Sequence, residues 1–126
     1  MLSDKHIHAT IPATDLDRAR GFYEGTLGFA PKEEAPGGVI DESGDTWFLL
    51  YPSAGAGSAH HTVAGWTVDD LEAEVDALKS KGVVFESYEM EGFDPETSIF
   101  SPGPIKSSWF KDTEGNILGL VQFVGG

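Results

Sequence analysis

The feature of this 126-residue sequence that most constrains its fold is an order of elements that occurs twice, on either side of a run of small residues. The run is Pro52-Ser53-Ala54-Gly55-Ala56-Gly57-Ser58, which carries no periodic apolar signal and reads as a flexible joint. Before it, Lys5 to Pro12 alternates Ile and Ala with His and Thr, as a half-buried strand does. Thr14-Asp15 offers a helix N-cap, and Leu16, Ala19, Phe22, Tyr23 and Leu27 follow at helical spacing. Gly28 stands where a left-handed C-cap is expected, so a helix is predicted over 15–27. Phe29 to Glu34 reads as a short strand and Pro36-Gly37-Gly38 as a turn. Val39–Glu42 and Thr46–Tyr51 form the arms of a hairpin around Ser43-Gly44-Asp45.

After the joint the order returns. His61 to Val68 is strand-like, and Asp69 is the expected cap of a helix, with Glu72 three residues on in capping-box position. Leu71, Val75 and Leu78 make its apolar stripe, Lys79 and Lys81 lie near its negative end, and Gly82 stops it. Val83 to Tyr88 is predicted as a strand. Gly92 to Pro104 is long for a connection in so short a chain; such loops are often lids, and Phe93, Ile99 and Phe100 would make this one apolar, unless it is a packed surface loop. Ile105–Lys111 and Asn116–Val124 close a hairpin around Asp112-Thr113-Glu114-Gly115. Residue by residue the halves match weakly, best at Asp15-Leu16 against Asp70-Leu71 and Gly28-Phe29 against Gly82-Val83. The pattern predicts an α+β fold of paired βαβββ modules in one domain over 1–126. Module one spans about 5–52, the linker about 52–59 and module two about 60–124.

A chain of this length has room for one core of ordinary size. It contains no cysteine, which excludes disulfides, thiolate catalysis and cysteine-ligated zinc. Asp and Glu total 21 against 8 Lys and Arg, a formal charge of −13. Such a balance argues against nucleic-acid phosphates and anionic membrane surfaces as partners. It suits a cationic guest, or simply a solvated surface. No apolar run is long enough to cross a bilayer, and Met1-Leu2-Ser3-Asp4-Lys5 leads into no signal-type apolar segment, so a cytoplasmic location is expected.

Three segments in register resemble the vicinal-oxygen-chelate superfamily, which includes glyoxalase, bleomycin-resistance and extradiol dioxygenase proteins. The first is His8-Ala9-Thr10-Ile11-Pro12-Ala13-Thr14-Asp15-Leu16, running into Phe22-Tyr23 and Leu27-Gly28-Phe29. The second is His61 followed by Val68-Asp69-Asp70-Leu71. The third is Trp109-Phe110-Lys111-Asp112-Thr113-Glu114-Gly115-Asn116, close to the family's Phe-x-Asp-Pro-x-Gly-Asn turn with Thr113 in place of Pro. The resemblance covers essentially the whole chain. It implies an open, curved mixed-sheet barrel around a cleft that takes a small-molecule ligand, often against a divalent cation. It also implies a homodimer, in which some members build one site from two subunits.

Carried over position by position, the resemblance makes His8 and His61 the first-strand metal ligands of the two modules, both imidazoles suited to Fe(II), Mn(II), Ni(II) or Zn(II). The family's last-strand glutamate falls at Gly119, and the further carboxylate of glyoxalase-type members falls near Leu49 or Leu50. Two imidazoles without a carboxylate hold a divalent ion weakly. Gln122 does not replace the missing group, because odd and even strand positions face opposite ways; Glu86 and Glu89 would need unusual geometry. No cofactor is therefore expected, with a divalent metal the alternative. His6 and His60 read as surface or rim residues.

Without a metal the cleft still offers aromatic walls. Trp47, Tyr51, Trp66, Tyr88, Trp109 and Phe110 lie on predicted strands, and flat or hydrophobic molecules are held by such walls plus a few polar groups. Alternation puts Trp47, Leu49 and Tyr51 on one face, which makes Trp47 and Tyr51 the better pocket candidates. His8, Trp47, Tyr51, His61, Phe110 and Gly119 are the expected ligand-contacting positions. A neutral imidazole at His8 or His61 is also a candidate general base, although no carboxylate partner for either ring is evident. No nucleophile motif and no phosphate-cradling loop is present. The expectation is binding of a small hydrophobic or aromatic molecule, and the alternative is a metal-dependent lyase, isomerase or dioxygenase using His8 and His61.

Overall fold

The computed structural model describes residues 1–124, which divide into two compact units. Residues 1–58 together with Thr113–Asn116 form the first unit, and residues 59–112 with those from 117 onward form the second. Each unit is one mixed sheet with a helix against it.

In the first unit β1 (Ala9–Ala13) leads to α1 (Leu16–Arg20), then to the meander β2 (Ala30–Ala35), β3 (Gly38–Ser43) and β4 (Thr46–Pro52). The strand order is β1-β4-β3-β2, with β1 parallel to β4 and the meander antiparallel. Paired residues on neighbouring strands share a face. Ile11, Leu50 and Val39 therefore line one side with Phe48, all buried, and Ala19 and Tyr23 of the helical segment are buried as well. Thr10, Leu49, Ile40, Trp47 and Glu42 take the opposite, open face.

Asp15 caps α1, its carboxylate accepting from the Arg18 amide at 3.1 Å. The helix predicted over 15–27 is α-helical only to Arg20; Gly21–Thr26 continues it as a wider π-helical turn, in which Leu27 N–H reaches the Phe22 carbonyl at 2.9 Å. Gly21 and Gly25 have low helix propensity and hold the normal pitch weakly. Gly28 then ends the segment at φ +86, as expected of a left-handed C-cap.

The small-residue joint is a hydrogen-bonded turn, not a free linker. Ser53 Oγ accepts from Gly55 N–H at 3.1 Å, Ser58 Oγ donates to the Gly55 carbonyl at 2.6 Å, and Gly57 N–H donates to Asn116 Oδ1 at 3.1 Å. Gly57 is obligatory here, at φ +76 with a Cβ direction only 2.6 Å from the Glu114 carbonyl oxygen.

In the second unit β5 (Thr62–Thr67) leads to α2 (Leu71–Ser80), then β6 (Phe93–Asp94), β7 (Ile99–Phe100), β8 (Ile105–Lys111) and β9 (Ile117–Phe123). The order is β5-β9-β8-β7-β6, with β5 parallel to β9. Phe110, Leu118, Leu120 and Ser108 share one buried face, and Leu71 and Val75 of α2 are buried too. Trp109, Gly119, Ser107 and Val121 share the other face.

Three expectations for this unit need correction. The cap of α2 is Asp70, not Asp69: the Asp70 carboxylate accepts from Ala73 N–H at 3.1 Å. Leu71, fully buried with its N–H on Gln122 Oε1 at 2.8 Å, has to be the first helical residue. Glu72 is then no capping-box partner and instead takes Lys106 Nζ at 2.6 Å, which lowers its pKa. The strand predicted over 83–88 shrinks to a single bridge of Phe85 to Phe110, with Glu86 N–H on the Trp109 carbonyl at 2.8 Å. The rest of that β8 edge is taken by β7, where Phe100 pairs with Ser107. Within the segment 92–104, expected as an apolar lid or a packed surface loop, Phe93–Asp94 and Ile99–Phe100 pair as the β6–β7 hairpin and extend the sheet. Buried Ser108 Oγ anchors it through the Ser98 carbonyl at 2.6 Å.

Candidate functional site

The open face of each sheet carries the side chains that can meet a ligand. In the first unit His8, just ahead of β1, stacks on Trp47 of β4 with ring centroids 3.9 Å apart at 25°. Leu49 and Tyr51 continue that face at the two-residue period of the strand, half-buried like Trp47. Glu42 lies directly opposite Trp47 and exposes its carboxylate, so the face offers a stacked ring pair next to negative charge. A cleft of about 330 Å³ is lined by Leu2, Lys5, His6, Ile7 and His8, which brings His6 to the same segment.

In the second unit Trp109 dominates. Tyr88 meets it edge-to-face at 5.5 Å, Phe100 lies at 6.1 Å, and Tyr88 in turn meets Phe93 edge-to-face at 6.0 Å. Burial, and then the charge of Glu86, raise the Tyr88 phenol above its ordinary pKa. Glu86 itself is paired with Lys111 Nζ at 3.4 Å. Phe110 is 1% exposed and sits on the helix-covered face against Phe85 at 5.3 Å. As a ligand-contacting candidate Phe110 is therefore corrected: its neighbour Trp109 holds the half-exposed position on the open face. Trp66, paired with Leu120, belongs to the same side as Phe110. His61 precedes β5, is exposed, and engages the Thr62 carbonyl through Nδ1 at 3.0 Å.

Gly119 pairs with Trp109 across β8 and β9. A Cβ at 119 would stand 3.2 Å from Thr62 Cγ2 and 3.4 and 3.5 Å from Cδ1 and Nε1 of the Trp109 indole. A side chain at 119 would press on the Thr62 methyl and stand in ordinary van der Waals contact with the indole. Leu49, at the other position where a carboxylate is expected, shares its face with Thr10 and Ile40, while Leu50 is fully buried. Among the described residues no three His, Asp or Glu side chains are gathered so as to hold a metal ion. The donor chemistry at these positions does not fit the family's cation.

A family model for the Glyoxalase/Bleomycin resistance protein/Dioxygenase superfamily matches residues 5–120. The chain belongs to this superfamily. Solved structures of similar fold include a glyoxalase/bleomycin resistance protein/dioxygenase from Alicyclobacillus acidocaldarius, at TM-score 0.73 and 19% identity over 97% of this chain and 93% of that one. UcmS2 matches at TM-score 0.71 and 20% identity, covering 90% and 94% of the two chains. A lactoylglutathione lyase from Agrobacterium tumefaciens matches at 0.64 and 21%, covering 94% and 93%. No curated protein matches. Identities this low carry the fold of the superfamily and leave each member's chemistry to its own residues.

Two acidic residues of this superfamily member escape sequence reading. Glu114, in the Asp-x-x-Gly-Asn turn, has a fully buried side chain; Oε1 accepts from Asp15 N–H at 2.8 Å, and Arg18 Nε and Nη2 donate at 2.8 and 3.0 Å. The Arg18 hydrogen bonds, aided by Asp15 N–H and the Thr113 hydroxyl, hold its carboxyl down at about 2 against burial. Asn116 Nδ2 donates to the Pro12 carbonyl at 2.8 Å, so this turn motif serves the start of α1 and the end of β1. Its partners at α1 and β1 lie 96 to 104 residues away in sequence, which no local pattern reveals. Asp41 is the other, buried on the helix side of β3.

Proposed function

We propose that this superfamily member binds a small aromatic or hydrophobic molecule, preferably a cationic one, on the aromatic open faces of its sheets and without a complete divalent-metal site. The observation that carries the reading is the contact of the Trp109 indole with the Cβ direction of Gly119, where the resemblance puts a metal-binding carboxylate. A tryptophan there offers a π-face in place of a charge. The His8–Trp47 stack beside Glu42 supports the same class of guest, since flat cations are favoured by ring faces and nearby carboxylates. The formal charge of −13 adds a field that draws cations in. Exposed apolar side chains, among them Ile7, Val84 and Phe123, support a homodimer, which sedimentation would reveal.

The competing reading is metal-dependent lyase, isomerase or dioxygenase chemistry through His8 and His61, and one set of measurements separates the two. Chelator-treated protein is screened by thermal shift against neutral aromatic compounds and aromatic ammonium compounds. A guest present at about 100 times its Kd adds about 2.7 kcal/mol and raises Tm by several degrees. The expected rise is larger for ammonium compounds and is lost in Trp47→Ala or Trp109→Ala. Stoichiometric metal in untagged protein purified without chelator, absent from the His8→Ala/His61→Ala variant, would overturn the reading in favour of its competitor.

A further inference from the structure

Asp41, at the centre of β3, is a carboxyl that the proposed function does not use. It pairs with Phe48, lies on the helix-covered face between Val39 and Ser43, and is 0% exposed. Neither of its oxygens receives a hydrogen bond. An ionised carboxylate in such surroundings needs a cation or a donor; otherwise it takes up a proton.

Among the described residues the cation that acts on it is Arg20, and its guanidinium is committed elsewhere. Nε and Nη2 donate to Glu24 at 2.9 and 3.2 Å, and Nη1 holds Glu34. From the π-helical turn Glu24 presents its carboxylate to Asp41. The strand neighbours on this face are Phe48 and Leu50 of β4, Val39 and Ser43 of β3, and Pro31 opposite Asp41 on β2, with exposed Lys32 at the bulge beside Pro31 and Glu34 bound by Arg20. Two carboxyl groups side by side can hydrogen-bond only through a shared proton, and three carboxyls around one guanidinium leave one without a counter-charge.

We propose that Asp41 keeps its proton and donates it to the Glu24 carboxylate, and that losing this proton to solvent loosens the π-helical turn from β3. Burial first, and the Glu24 charge second, push the Asp41 carboxyl from 3.8 up to about 7, against the pull of Arg20. The folded state therefore binds a proton more tightly than the unfolded chain. This contribution to stability is fully present below the unfolded value of 3.8 and is lost as pH rises through about 7. On the open face the next residue, Glu42, pairs with Trp47, so the switch lies on the strand beside the one that carries Trp47 of the His8–Trp47 stack.

The test combines carbon-13 NMR titration of the Asp41 side-chain carboxyl in the wild-type protein with unfolding measured against pH. The carboxyl is expected to titrate near neutrality. Relative to Asp41→Asn, the wild-type unfolding constant is expected to rise by up to about tenfold per pH unit between about pH 4 and about 7. Glu24→Gln, whose amide can donate to an ionised Asp41, is expected to move the midpoint down. Titration of Asp41 in the ordinary carboxylate range overturns the proposal whether or not the variants fold. So does a midpoint that Glu24→Gln leaves in place, or a pH dependence that Asp41→Asn shares.

Discussion

Position 119 is governed by its neighbours, Thr62 and Trp109, at 3.2 and 3.4 Å from a Cβ that is not there. Overpacking of this kind costs about 1–3 kcal/mol, so Gly119→Ala is expected to lose roughly that much in denaturant unfolding. In the Thr62→Ser background, which lacks the crowding methyl, the same substitution should cost much less, giving a coupling energy of about 1 kcal/mol or more. Strict additivity would show that the Thr62 methyl does not crowd this position. The missing carboxylate could be read directly from Gly-for-Glu in the sequence; its physical cause could not, because that needs the pairing of 109 with 119. Asp41 was hidden for a related reason. Val39-Ile40-Asp41-Glu42 alternates so that Val39 and Asp41 point inward while Ile40 and Glu42 point out, the reverse of what apolar content suggests for Ile40 and Asp41. Likewise Trp109 and Phe110 are equally aromatic, and only the side on which α2 lies decides which of them is core.

At the scale of elements, the strands that alternate cleanly and both helix stops were readable, and the errors cluster where two candidates compete for one role. Asp69 and Asp70 both precede α2, and burial of Leu71 selects Asp70. Asp70→Ala is accordingly expected to cost about 1 kcal/mol of stability, and Asp69→Ala less than about 0.5, in the same chemical-denaturation measurement. Equal losses would put the cap back at 69. The segments 83–88 and 92–104 compete for one edge of β8, so each gets part of it: Phe85 opposite Phe110 and Phe100 opposite Ser107. Richness in Gly, Pro, Asp and Ser marks the second segment as a loop, and its length leaves lid and packed surface loop open, yet the same residues also build tight hairpins. Removing the buried anchor by Ser108→Ala should cost about 1–3 kcal/mol through the orphaned Ser98 carbonyl, and should speed amide hydrogen exchange over 93–100 ahead of β9. Uniform exchange across both would argue that the hairpin is held in another way.

At the scale of the whole molecule, the two acidic residues that sequence reading missed pull stability in opposite directions with pH. Glu114 is held at about 2 by Arg18, below its unfolded value of 4.5. Its contribution is present above that unfolded value and is lost as pH falls through about 2. Asp41, raised to about 7 from 3.8, contributes at low pH and loses its effect as pH rises through about 7. The general charge acts in the same sense as Asp41, since an excess of 13 negative charges repels itself increasingly once the other carboxylates ionise. Stability should therefore peak in mildly acid solution, near the isoelectric point of 4.4, and decline toward pH 8. Salt separates the contributions above the peak: the diffuse repulsion is screened by added salt, whereas a buried carboxyl pair is screened much less. Urea unfolding across pH at low and high ionic strength should show a decline that salt reduces but does not abolish, with Asp41→Asn removing the remainder. Glu114→Gln should flatten the acid side alone. A maximum at pH 7 or above, or an alkaline decline that salt removes entirely, would mean that the buried carboxyl pair does not control the molecule's stability.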